Sequence, residues 1–90
     1  MNAPSGLKQE IKDLIITALN IMDVGPDEID DDGTLFGESG VLGLDSIDAL
    51  EIVMALQEKY GVRIDDKNQS RFILQSISTI AEFVAGNRTK

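Results

Sequence analysis

A hydroxyl set between two carboxylates is where the chain offers chemistry: in Gly43-Leu44-Asp45-Ser46-Ile47-Asp48-Ala49-Leu50-Glu51, Ser46 opens an apolar-periodic run. Ser and Asp at a helix start accept amide hydrogens that the helix leaves unpaired, so plain capping is the first reading. The same free amides, with the positive end of the helix dipole, also favour a phosphate ester at that hydroxyl. A hydrolytic serine needs a base, and the chain contains no His. The Gly-x-Ser-x-Gly elbow is not completed either, because position 48 is Asp. With no Cys present as well, disulfides, thiolate nucleophiles, imidazole bases and the usual ligands of zinc, copper and iron are all excluded.

Two other clusters fail on spacing. Glu28-Ile29-Asp30-Asp31-Asp32-Gly33 invites a calcium loop, but aligning Gly33 with the sixth-position glycine puts Glu28 first and Ser39 twelfth. The leading Asp and the closing bidentate Glu are then missing, leaving only weak, nonspecific divalent binding to an acidic surface. Gly37, Gly40 and Gly43 match neither a dinucleotide nor a P-loop fingerprint.

The elements that must position Ser46 follow from apolar spacing. Leu7, Ile11, Leu14, Ile15, Ala18, Leu19 and Met22 paint one stripe on a first helix, with Ser5 placed to cap it and Gly25-Pro26 to end it. A Gly- and Asp-rich stretch from Asp23 to Asp45 follows, pinned to the core by Ile29, Leu35, Phe36, Val41, Leu42 and Leu44. A loop of that length in so small a domain usually has a function. Asp45 to Tyr60 forms a second helix stopped by Gly61, Asp65 or Asp66 caps a short third through Ile73, and Ser76 caps a fourth to Gly86. The expected fold is all-α: a small four-helix bundle, with the long loop between helices one and two and a short third helix. Residues 1–90 are taken as one domain with its folded core at about 6–86, and the tail Asn87–Lys90 as frayed.

Composition narrows the partners. Ninety residues bury roughly two thirds of their surface and leave no room for a deep catalytic cleft. Three Phe, one Tyr and no Trp make the core aliphatic. Sixteen acidic against eight basic residues give a net charge of −8, which repels nucleic acid and anionic membrane and attracts proteins with basic docking surfaces. Met1–Gly6 has no basic stretch followed by an apolar run, and no segment is long enough to span a bilayer, so a cytoplasmic, monomeric protein without membrane insertion is expected.

The second helix carries two apolar stripes. At ~100° per residue, Ala49, Ile52, Val53, Leu56 and Tyr60 share one arc, the core face. Ile47, Leu50 and Met54 fall on a separate ridge bordered by Asp48, Glu51 and Glu58. Apolar residues on a helix are more often core than interface, so the plain reading has the ridge covering the long loop. The sharper one makes it a docking surface, in which apolar area supplies contact energy and the carboxylates steer the encounter.

Asp45-Ser46-Ile47-Asp48-Ala49-Leu50-Glu51 resembles the Asp-Ser-Leu motif at which acyl carrier proteins receive phosphopantetheine. The helix continuing through Ile52-Val53-Met54-Ala55-Leu56 resembles the family's recognition helix, and the resemblance extends over residues 7 to 85. It implies that a phosphopantetheinyl transferase joins the 4′-phosphopantetheine arm of coenzyme A to Ser46, and that the arm's thiol carries an acyl thioester. A cofactor that brings its own sulfur suits a chain without Cys. By the same resemblance Asp45, Ile47, Asp48, Leu50, Glu51 and Met54 contact acyl-transferring and condensing enzymes of fatty-acid, lipid or polyketide-type biosynthesis. Ile52, Val53 and Leu56 would face an interior that shelters the acyl chain.

Two departures bear on partner choice. Phe36-Gly37-Glu38-Ser39-Gly40-Val41-Leu42-Gly43 is longer and richer in glycine than in a housekeeping fatty-acid carrier, and Gln57, Lys59, Arg63 and Lys67 dilute the acidic end of the second helix. They point to a specialised carrier. The rivals are an aminoacyl or peptidyl carrier, against which Asp45 and Asp48 speak, and an unmodified acidic adaptor that uses only the ridge.

Overall fold

In a computed structural model of the chain, residues 5–22, 24–36 and 43–89 are described, the side chains of Ser5 and Lys67 excepted. Four helices run through them: α1 (Ser5–Leu19), α2 (Ser46–Tyr60), α3 (Lys67–Ile73) and α4 (Ile77–Asn87), with a 3₁₀ turn at Pro26–Glu28 in the long connection. The all-α bundle with a short third helix is therefore the observed architecture. α1 packs against α2 and α4, and α3 against α4.

The first helix ends earlier than its apolar pattern implies. Asn20 takes a left-handed conformation (φ 53°), its N–H bonds Thr17 O at 3.3 Å, and the Ile21 N–H bonds Ile16 O at 2.9 Å. This is a Schellman stop with Asn in place of the usual Gly. Met22 therefore leaves the stripe and stands 86% exposed, whereas Leu7, Ile11 and Ile15 are buried. Gly25-Pro26 is not the stop. Pro26 instead starts the 3₁₀ turn, where its missing amide hydrogen costs nothing, and the Gly25 N–H donates to Glu28 Oε2 at 2.8 Å. The expected Ser5 cap concerns a side chain outside the described ones.

Ile29, Leu35 and Leu44 hold the long connection to the core as expected, with Phe36 packed beside them; Val41 and Leu42 lie outside the described residues. Backbone ties reinforce the apolar ones. The Leu35 N–H donates to Gln75 O at 3.1 Å and the Leu44 N–H to Leu35 O at 3.2 Å, an isolated parallel bridge at Phe36 and Leu44. Asp31 is clasped from two helices: Lys12 Nζ stands 2.6 Å from its Oδ1, Lys8 Nζ 4.0 Å from Oδ2, and the Ser78 N–H donates to its carbonyl at 2.8 Å. The Lys12 ammonium holds the Asp31 carboxyl below its ordinary value. Of the acidic run, Asp31 fastens the loop to α1 through Lys12 and to α4 through the Ser78 amide, and among the described residues no three acidic side chains converge as metal ligands.

The carboxyl end of α4 corrects the expectation of a frayed tail. The Thr89 N–H donates to Tyr60 O at 2.9 Å, its hydroxyl to Gly61 O at 3.1 Å, and the Arg88 guanidinium lies 4.9 Å from the Tyr60 ring centre. Arg88 and Thr89 thus pack on the end of α2. Tyr60 is fully buried, and its hydroxyl donates to Glu10 Oε1 at 3.2 Å, joining α2 to α1. Burial, then the Glu10 carboxylate, pushes the Tyr60 phenol up to about 12, with Arg88 opposing.

Candidate functional site

Asp45, not Ser46, caps α2. Asp45 sits in extended conformation, and its Oδ1 accepts from the Ile47 and Asp48 N–H groups, each at 3.1 Å. Asp48 Oδ2 returns the bond by accepting from the Asp45 N–H at 3.1 Å, a reciprocal box that satisfies three amides. Gly43, at φ 59°, turns the chain in the left-handed region so that Leu44 is buried while Asp45 reaches the cap. At the other end Gly61, φ 67°, donates to Gln57 O at 2.9 Å and closes the helix as its sequence position predicts.

Ser46 is thereby released from structural duty. It occupies the first helical position, is exposed, and its hydroxyl makes no hydrogen bond among the described residues. The capping reading of this serine is overturned. The Ile47 and Asp48 amides are committed to Asp45, so a phosphate on Ser46 keeps the field of the helix end but not those two donors.

The two stripes of α2 separate as the spacing predicts. Ile52, Leu56 and Tyr60 are fully buried, with Ala49 and Val53 half-buried against them. Ile47, Leu50 and Met54 stand 69%, 64% and 64% exposed, so the plain reading, in which they cover the loop, does not hold. Glu51 and Asp45 are exposed beside this ridge, and Asp48 is half-buried by its cap bond.

Beside Ser46 lies a groove of about 550 Å³, bordered by α2, α3 and the long connection. Phe36, Leu44, Ala49, Leu50 and Leu74 supply its apolar lining, and Thr34, Ser70, Arg71 and Gln75 its polar lining. The residues expected to face the interior lie apart from it. Ile52 and Leu56 are sealed in the core and do not border the groove, nor does Val53. The α3 and loop residues escaped sequence reasoning because α3 has only seven residues and its place across the groove from α2 is set by tertiary packing rather than by any spacing.

A small bundle that holds an exposed, unactivated serine at the mouth of a groove describes a protein that carries a group. Residues 9–85 match the family described as phosphopantetheine attachment site. The chain is 33% identical over 76 residues to an acyl carrier protein of Campylobacter hominis, covering 84% of this chain and 86% of that one. It is 35% identical over 77 residues to an acyl carrier protein of Campylobacter fetus subsp. fetus (86% and 90%), and 32% over 81 residues to acyl carrier protein 2, mitochondrial, of Arabidopsis thaliana (89% and 60%). The chain belongs to the acyl carrier protein family of phosphopantetheine-binding carriers, and its cofactor is a covalently attached 4′-phosphopantetheine. The site fits that group: a free, exposed hydroxyl borders a groove that is apolar along one wall and polar along the other. No helix among the described residues is long and apolar enough to cross a membrane.

Proposed function

We propose that Ser46 carries the arm, and that the chain presents acyl thioesters to partner enzymes of fatty-acid, lipid or polyketide-type biosynthesis without catalysing a reaction itself. One observation carries this reading: the capping work at α2 belongs to Asp45, which leaves the Ser46 hydroxyl exposed and unbonded beside the groove. In the transferase reaction Ser46 Oγ forms a bond to the phosphorus nearest pantetheine. The pyrophosphate P–O bond breaks, the adenosine bisphosphate leaves, and the hydroxyl proton passes to a base on the transferase. The arm supplies a thiol that the chain itself lacks.

Partner enzymes dock on Asp45, Ile47, Asp48, Leu50, Glu51 and Met54. The exposed Ile47, Leu50 and Met54 supply apolar area, the carboxylates steer basic surfaces toward it, and Met54 adapts to partners of different shape. The working unit is a cytoplasmic monomer, residues 1–90 acting as one carrier domain. Its diluted acidic pattern at Gln57, Lys59 and Arg63 suits a dedicated pathway more than a housekeeping one. Incubation with coenzyme A and a transferase should add one phosphopantetheine by intact mass, and Ser46→Ala should abolish the addition. A folded wild type that stays unmodified with a competent transferase refutes the assignment and leaves the acidic adaptor. The mass of the thioester on protein recovered from its native cells identifies the cargo.

A further inference from the structure

The groove contains a charge that the carrier role does not use. Arg71, in the last turn of α3, lines the same cavity as Ser46 and is exposed. It is the cation among the groove's described lining residues, and no ion pair forms between it and a carboxylate among the described residues. The bland account is that a basic residue in the last turn of a helix complements the helix dipole. That account does not involve the groove.

A phosphodiester on Ser46 creates an electrostatic problem that the groove answers. It adds a negative charge between Asp45 and Asp48 in a chain already at −8. The two amides best placed to receive it, those of Ile47 and Asp48, are held by Asp45. A guanidinium is planar, permanently charged and built to grip two phosphate oxygens at once. Resting on Ser46 as the attachment point, we propose that Arg71 is the counter-ion of the phosphodiester, a positioning residue that draws the root of the arm toward α3 and over Leu44, Ala49 and Leu74. The direction in which the arm leaves the domain is then set by α3 as well as by α2.

The test uses the full chain loaded by a transferase, as wild type, Arg71→Gln and Arg71→Lys, with intact mass confirming one addition on Ser46. The ³¹P resonance of the phosphodiester is recorded folded and in urea, at low ionic strength and at about 1 M salt, where charges are screened beyond ~3 Å. The folded wild type should show a displacement from its urea value that Arg71→Gln loses, Arg71→Lys retains in part, and high salt erases. The Arg71 Nε–H resonance should also move between the unloaded and loaded wild type. Arg71 is exposed, so circular dichroism and the melting midpoint should be unchanged in both variants. A loaded Arg71→Gln protein with the wild-type ³¹P position, or an Nε–H signal indifferent to loading, overturns the counter-ion and leaves the Ser46 assignment standing. Failure of Ser46 to accept the arm at all removes the assignment and this inference together.

Discussion

Leu50 and Leu56 stand six residues apart on α2, and the same substitution at each should fail in opposite ways. Leu56 is fully buried among the core residues, so Leu56→Ala removes packed methyl groups and leaves a cavity, costing about 2–5 kcal/mol. In a domain of this size that lowers the melting midpoint by at least ~10 °C. Leu50 is already 64% exposed. Full burial of a Leu side chain is worth about 1.5–3 kcal/mol, so docking has roughly two thirds of that left to gain, about 1–2 kcal/mol, or roughly 5- to 30-fold in affinity. Leu50→Ala should therefore lower the transferase kcat/KM by about that factor. The stability loss should stay under about 1 kcal/mol, because Ala matches Leu in helix propensity and only the groove-side contacts disappear. Urea melts followed by circular dichroism, alongside transferase kinetics with coenzyme A, measure both quantities. A Leu50→Ala protein as destabilised as Leu56→Ala would refute the division of α2 into an inner and an outer face. Full stability combined with unchanged transferase kinetics would refute the docking role of the ridge for that partner.

The remaining predictions concern the two ends of α2. Tyr60, pushed from 10 to about 12, keeps its proton in the folded state while the unfolded chain loses it. Its contribution is complete below pH 10, declines from 10 to 12 and is gone above that, a swing on the order of 2 kcal/mol. Tyr60→Phe should flatten that part of the stability profile at a cost near 1 kcal/mol at neutral pH for the lost bond to Glu10; identical alkaline slopes in both proteins, with the Lys and Arg background common to both, would count against it. At the other end, Asp45→Ala should cost about 1 kcal/mol, or ~4–8 °C, because two amides lose their acceptor, whereas Ser46→Ala should change stability by less than about 0.5 kcal/mol. Thermal melts of the two unmodified variants check this, and equal losses would mean that the hydroxyl shares the cap after all.

Much of this was legible because helices declare themselves by local rules. Asp66 and Ser76 cap where their side chains can reach amides two or three residues on, at 2.9 and 3.2 Å, and Gly61 stops α2 because it tolerates a left-handed conformation. The same rules misplaced the end of α1, where Asn20 does the work usually left to Gly and Met22 continues the apolar spacing after the helix has stopped. They also allowed either Asp45 or Ser46 as the cap, and the bonds from the Ile47 and Asp48 amides to Asp45, with the return bond to Asp48, separate the two. Its trace was present as an Asp followed three residues later by another. The groove was not legible. It exists where α2 and α3 meet Thr34, Phe36 and Leu44, and no periodicity within one element encodes the distance between elements.

The division of labour around α2 explains how one fold can serve an unloaded and a loaded state. Attaching the arm to Ser46 changes charge and bulk at a residue that contributes no hydrogen bond among the described residues, so nothing in the bundle must break for modification to occur. The supports stand elsewhere: Asp31 clasped by Lys12 and the Ser78 amide, and Tyr60 held between Glu10 and the carboxyl end of α4. A carrier gains from this separation, because the surface around Ser46 can change while the core remains the same. The demand on the site is correspondingly narrow. Asp45 must hold the end of α2 without claiming the hydroxyl beside it, and its carboxylate does so by accepting from the Ile47 and Asp48 amides while Asp48 accepts from its own.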